Sequence, residues 1–260
     1  MLGSIVRLFP SVRRGCGADE RRGGDEKLIR LISFRILVTS ESSGLIETIT
    51  DAVSIHSIKK IAYSRTAADG TVFTSYSLYD YYVETFGPPT STTFKRAQTA
   101  FIKSLAAYSV ICYLLQLKDR HNGNILVDRK GHLIRTSFPS IALLHSSAPR
   151  CALRGLEAKL TTGKTDIDFG FLLSNSPGSL GFEMAPFKLP QDYIEILGGF
   201  NSEKFIEFKG LFKSGFRDVR KYAERIVSLV ELMQKGSSPP TPSFISSSVP
   251  ILRLTKLIRE

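Results

Sequence analysis

The hydrophobic and polar positions of this chain change period several times. The strongest helical pattern runs from Thr93 to Leu117, "TFKRAQTAFIKSLAAYSVICYLLQL". Its first half keeps a polar face. Its second half is apolar around nearly the whole circumference, which predicts that this half is buried. Ser75–Phe86, carrying "YSLYDYYVETF", predicts a second helix stopped by "GPP", and Phe205 to about Gln234 predicts a third. "FRILVT", Phe34–Thr39, predicts a strand. "GLIETI" follows, then a helix-like pattern through Lys60, with "SRTAADG" a loop. "NILVD" and "GHLI" predict a hairpin that turns on "RKG". Tyr76, Tyr79, Tyr81 and Tyr82 fit helix packing better than a platform for stacking bases.

The two ends read differently. Met1 to about Asp25 is rich in Arg and Gly, and is read as disordered or atypical. Its basic start resembles a transit peptide, but Asp19, Glu20, Asp25 and Glu26 argue against one. The tail from Ser237 is rich in Ser and Pro and predicts a loose segment.

Composition narrows this little. The 260 residues suit one large domain or two small ones, and an apolar fraction of 42% supplies a core. No run of 18 apolar residues occurs, so no membrane span is expected. Cys16, Cys112 and Cys151 follow no motif spacing, which favours a reducing compartment with Cys112 in the core. The net charge of +11 favours anionic partners: nucleic acid, nucleotide phosphates or an anionic membrane. Packing tyrosines disfavour the first of these.

The candidate chemistry lies in "ICYLLQLKDRHNGNILVDRKGHLI", Ile111–Ile134. A buried helix delivers the chain into Asp119, Arg120, His121, Asn122 and Asn124. Burying a charge without partners costs several kcal/mol, so this cluster is either a solvated loop or a site. Asn124 follows Asp119 by five residues, and Asp168 stands downstream in "DFG". Phosphoryl transfer needs this order: a carboxylate near the attacking hydroxyl, then an Asn and a second Asp that hold metal ions bridging the phosphates.

"DRHNGNIL" followed by "DFGF" resembles the catalytic core of the phosphatidylinositol 3- and 4-kinase superfamily. "RILVTSESSGLIETI", "AQTAFIKSLAAYSVICYLLQLKDRHNGNILVD" and "DFGFLLSNSPGSLGFEMAPFKL" are most similar to fungal type III beta phosphatidylinositol 4-kinases. The resemblance covers about Phe34–Gly236, apart from one gap. It implies an α+β, lipid-kinase-type protein-kinase-like fold, with a mostly helical C-terminal lobe and a truncated N-terminal lobe. Residues 1–33 form an atypical segment, 34–236 the catalytic domain and 237–260 a loose tail. Within the domain lie a hinge at 44–49, a catalytic loop at 119–126, an insert at 135–166 and an activation loop at 168–188.

The resemblance also assigns roles. Asp119 is the catalytic-loop Asp. His121 is the base or the transition-state stabiliser near the inositol hydroxyl. Asn124 and Asp168 are magnesium ligands. Backbone groups of the hinge residues Glu47, Thr48 and Ile49 meet the adenine edge, and Ile167 packs on the adenine. Lys188, at the end of the loop that reads the lipid headgroup, is a candidate for its phosphate. Arg120 is read as structural. ATP and Mg2+ are the implied cofactors, and phosphatidylinositol in an anionic membrane surface is the implied partner, with no nucleic acid. The implied location is cytoplasmic, peripheral on Golgi or other internal membranes.

Two departures stand out. No lysine-bearing "Lys-Ser-(Gly/Asp)-Asp-Asp-Leu-Arg-Gln" type segment is found before Phe34, and Lys27 lies in the wrong setting. One preorganised electrostatic group is worth about 10²–10³ in rate, so the chain as written is expected to lack useful lipid kinase activity. The second departure is residues 135–166, where the family runs directly into "HIDFGF". A looped-out insert is tolerable, because closure cost grows slowly with length. A translated intron is favoured: Arg135-Thr136 as CGT-ACG, Leu160-Thr161 as CTNAC and Thr165-Asp166 as ACA-GAC supply the splice signals. Excision would leave a His codon and restore "GHLIHIDFGF". Two other functions stay open, a protein kinase of the related superfamily branch and a catalytically dead binding fragment. The segment "SPGSLGFEMAPFKL" resembles the lipid enzymes.

Overall fold

The computed structural model describes residues 12–14, 29–31, 36–38, 44–46, 49–65, 75–117, 121–135, 185–236 and 256. The strands are β1 (Val12–Arg14), β2 (Ile29–Leu31), β3 (Ile36–Val38), β4 (Gly44–Ile46), β5 (Ala52–Ser54), β6 (Ile125–Asp128) and β7 (Leu133–Arg135). The helices are α1 (Ile55–Ser64), α2 (Leu78–Phe86), α3 (Thr92–Leu115), α4 (Gln191–Ile196), α5 (Glu203–Arg220) and α6 (Ala223–Gly236). A 3-10 turn spans Asn122–Asn124. β1 pairs parallel with β2, and β3 antiparallel with β4. β5, β6 and β7 form an antiparallel sheet in that order.

Local chemistry explains where the helices start. Ser54 accepts the Ser57 N–H at the head of α1. Ser77 and Asp80 form a reciprocal capping box at the head of α2. Ser91 and Ser202 cap α3 and α5 in the same way as Ser54 caps α1. Each such cap satisfies a backbone donor that the helix itself leaves open. The helix expected over Phe205–Gln234 is two helices, broken at Lys221 and Tyr222. The predicted strand at 34–39 is present as β3, and the hinge-like residues 44–46 are its antiparallel partner.

α3 is the spine of the fold. Phe101, Ile102, Leu105, Ala106 and Ala107 on it are buried, and it packs against α2, α5 and β7. By length and composition α3 is apolar enough to cross a membrane, but most of it is enclosed by the rest of the molecule. Cys112 is buried in it, as expected. Tyr82 and Tyr193 meet the Phe101 ring edge-on from opposite elements, an arrangement the ring quadrupoles favour. The four tyrosines near α2 all belong to the core: Tyr76 and Tyr82 are buried in it, and Tyr79 and Tyr81 pack against it. α4 is held by an ion pair, Lys59 Nζ to Asp192 Oδ2 at 2.7 Å, and by Gln98 Nε2 donating to the Ile196 carbonyl.

The sheet has two buried faces. Ile125, Val127 and Leu133 join the main core, while Ala52, Leu126 and Ile134 form a second cluster with Ile49 packed against it. Strand alternation sorts the residues this way. A continuous apolar run, "ILV", is what a strand covered on both sides requires.

Candidate active site

The predicted catalytic loop follows the end of α3. The helix stops at Gln116, the single non-glycine residue with positive φ (48°) among those described. Asp119 lies outside the described residues, as do Glu47, Thr48, Ile167 and Asp168. The described part begins at His121. Its backbone is extended, and its Nδ1 accepts the Gly123 N–H at 3.0 Å. Asn124 N–H closes the turn onto the His121 carbonyl at 3.1 Å. The imidazole is exposed, whereas Asn124 is fully buried at the mouth of β6. A turn of this kind sets His121 outward and Asn124 inward, three residues apart.

Strand β6 carries this turn, and the β6–β7 hairpin is anchored at several points. Asp128 Oδ1 accepts the N–H groups of Lys130 and His132, and its Oδ2 lies 2.8 Å from His132 Nδ1. Burial pushes the Asp128 carboxyl upward. The His132 hydrogen bond, the His132 charge and the two backbone N–H groups together outweigh it, so its pKa lies below the ordinary value. Tyr82 Oη donates to the Gly131 carbonyl at 2.8 Å. Gly131 has φ +83°, and a Cβ there would come within 2.8 Å of the Ala97 Cβ, so the α3 surface admits only glycine. Ser104 Oγ, fully buried on α3, accepts the Leu133 N–H at 2.8 Å. The hairpin therefore sits rigidly on α2 and α3, and the catalytic-loop turn inherits that rigidity.

Two other predicted residues meet this scaffold. Ile49, from the hinge, packs on Ala52, Leu126 and Ile134. Leu126 is two residues past Asn124, so the adenine-side candidate packs on the small sheet whose strand β6 follows directly on the metal-side candidate. Lys188 Nζ donates to Asn122 Oδ1 at 2.8 Å, across 66 residues. Phe187 and Leu189 on either side of it pack against the core. The structure thus brings Ile49, His121, Asn124 and Lys188 into one region. Asn122 was named from sequence only as part of the polar cluster, with no role, and Asp128 and Ser104 were not singled out. Only the "NGN" turn hints at Asn122, and nothing local announces the other two.

Asn124 offers an amide oxygen, a hard neutral donor of the class that magnesium takes. Among the described residues no group of three His, Cys, Asp or Glu side chains comes together.

A family model, "Phosphatidylinositol 3- and 4-kinase", matches residues 5–242, a span that starts upstream of Phe34. The chain is 48% identical over 209 residues to "Phosphatidylinositol 4-kinase PIK1alpha" of Candida albicans, covering 80% of this chain and 18% of that protein. It is 46% identical over 210 residues to "Phosphatidylinositol 4-kinase PIK1" of Saccharomyces cerevisiae, covering 80% and 17%. Against "Phosphatidylinositol 4-kinase beta" of Xenopus tropicalis it is 39% identical over 207 residues, covering 80% and 20%. The chain thus spans about a fifth of the length of these curated relatives. With a helical body, a small antiparallel sheet and a family match across most of its length, the chain belongs to the phosphatidylinositol 3- and 4-kinase family.

Proposed function

We propose that this chain carries the catalytic residues of a 1-phosphatidylinositol 4-kinase, which transfers the ATP γ-phosphoryl to the 4-hydroxyl of phosphatidylinositol. Likeness to proteins of that name across 80% of the chain supports the choice of lipid over protein substrate. Magnesium, when bound, would neutralise charge on the phosphates, with Asn124 and Asp168 as its protein ligands. Ile49 would lie along the adenine edge with Glu47 and Thr48, and Ile167 would pack on the base. Asp119 would lie near the attacking hydroxyl. The enzyme would work on the cytoplasmic face of Golgi or other internal membranes, where the net charge of +11 favours an anionic surface.

The observation that carries the mechanism is the Gly123 N–H bond to His121 Nδ1. An acceptor nitrogen has no proton, so in the neutral ring the proton sits on Nε2. The outward face of His121 is then a donor. It can stabilise charge on a transferring oxygen, but it cannot take a proton from the inositol hydroxyl without surrendering the Gly123 bond. Of the two roles the resemblance leaves open, the geometry supports the stabiliser. Because the transition state of phosphoryl transfer is mostly stabilised by position and charge, a placed donor is sufficient. Long-range proton–nitrogen NMR of His121 tests this: an Nε2–H tautomer is expected, and an Nδ1–H tautomer would refute it. An ATP titration with and without magnesium, on the wild type and on Asn124→Ala, tests the nucleotide site. Magnesium should strengthen binding in the first and not in the second.

A further inference from the structure

The outer face of α5 is a basic stripe. Lys209, Lys213, Arg217 and Arg220 are all exposed and recur at helical spacing, so they line one side of a helix about 27 Å long. The opposite side of α5, with Phe208, Leu211, Gly215 and Val219, is buried. Two of the acidic residues of α5 are paired off the stripe, Glu207 with Lys204 and Asp218 with Lys221, and Glu203 is exposed in the first turn beside it. Lys213 and Arg217 make no ion pair among the described residues.

A basic stripe alone is commonly a solvated face. This one continues into apolar surface at its N-terminal end. Ile206 is 58% exposed on the same face, and Phe200, in the turn before α5, is 60% exposed. Phe200 meets the Phe205 ring edge-on, and Lys209 Nζ lies over the same Phe205 ring, 5.1 Å from its centroid. Phe200, Ile206 and the stripe therefore form one continuous surface: an apolar tip and a cationic track.

We propose that the outer face of α5, with Phe200 and Ile206, is a docking surface for an anionic lipid bilayer. The cations would lie over the headgroups, and the two apolar side chains would enter the boundary between headgroups and acyl chains. Charge complementarity selects an anionic surface, and exposed Phe and Ile favour one with an apolar interior. The choice of a bilayer over another polyanion rests on the lipid-kinase reading. The surface is separate from the catalytic-loop turn, so the two can be tested apart.

The experiment is sedimentation of the chain with phosphatidylcholine vesicles, with and without phosphatidylserine. Each basic residue near an anionic surface is worth about a fivefold gain in partition. Lys213→Glu/Arg217→Glu should then lose at least about 20-fold in binding to the phosphatidylserine vesicles at low salt. Phe200→Ser should also weaken binding, by an amount that salt does not change. Circular dichroism should be unaltered in both variants, since each site is exposed. ATP titrated in parallel reads the kinase assignment separately and should be unaffected by these variants. Wild-type vesicle binding by the double variant would overturn the proposal. So would a loss of binding to polyglutamate with vesicle binding intact, which would identify an acidic polypeptide as the partner.

Discussion

Lys188 Nζ donates to Asn122 Oδ1 at 2.8 Å, tying the stretch that leads into α4 to the catalytic-loop turn. The lysine read from sequence as a lipid-headgroup contact is thus also a tether for the loop that carries His121 and Asn124. A hydrogen bond to a charged group is worth about 1.5–3 kcal/mol, or about 10–100-fold. In a form with a conventional N-terminal lobe and one His in place of Arg135–Asp166, Lys188→Ala should therefore lower kcat by about that factor, because the loop loses its position before the substrate is engaged. Steady-state kinetics against phosphatidylinositol separate the roles. A rise in KM with kcat preserved would make Lys188 a headgroup contact and nothing more.

Ser104 should matter to stability far more than its size suggests. Its hydroxyl accepts the Leu133 N–H and donates to the Ala100 carbonyl at 2.8 Å, with no exposed surface. Ser104→Ala leaves a buried strand donor without its partner, at about 1–3 kcal/mol. Denaturant midpoints should fall accordingly. An unchanged midpoint would mean that the β7 contact with α3 contributes nothing.

Asp128 should give the fold an acid-sensitive step. Its folded pKa is lowered, so its contribution is present above the unfolded carboxylate value of about 4 and is lost as pH falls through the folded one. Asp128→Asn should be destabilising near neutral pH, and its deficit should shrink at roughly pH 3. Urea midpoints for both proteins at the two pH values check the sign. A deficit that grows with acidity would contradict it.

Residues 135–166 carry a prediction about the message rather than the fold. Arg135 continues β7, paired opposite Ile125, and its guanidinium donates to Cys112 Sγ at 2.9 Å. A His at that position would continue the strand equally well toward "IDFGF". Sequencing the transcript across Ile134–Ile167 should recover a form that joins them through one His codon. A message that uniformly retains the segment would sink the intron reading.

The parts legible in the sequence were those with local causes. The α3 pattern, the "GPP" stop after α2 and the "RKG" hairpin were each readable within a short window, and the structure has them with ends shifted by a residue or two. β5, three residues long, gave too few positions for a period of two to register. α4 is short, and no helix was read there. The break between α5 and α6 has no Pro or Gly to mark it, since apolar positions continue through Tyr222. The same divide runs through the site. The "DRHNGN" word marked His121 and Asn124 as candidates, because it is the order expected for phosphoryl transfer. The Lys188–Asn122 tether and the Ser104–Leu133 bond join residues far apart in sequence, and no local pattern encodes such a contact. Asp119, Ile167, Asp168, Glu47 and Thr48 are outside the described residues, so their roles rest on the resemblance.

The central claim is that the turn bearing His121 and Asn124 serves transfer to the inositol 4-hydroxyl. The most direct measurement is product analysis: labelled ATP and phosphatidylinositol vesicles with a form of the chain that carries a conventional N-terminal lobe and a single His in place of Arg135–Asp166, the phosphate position being read by chromatography. Phosphatidylinositol 4-phosphate is expected from that form and not from the chain as written, with loss of product in Asn124→Ala and Asp168→Ala variants of the repaired form whose circular dichroism matches it. Phosphate at another position, no product, or undiminished product from the Asn124→Ala protein would contradict it.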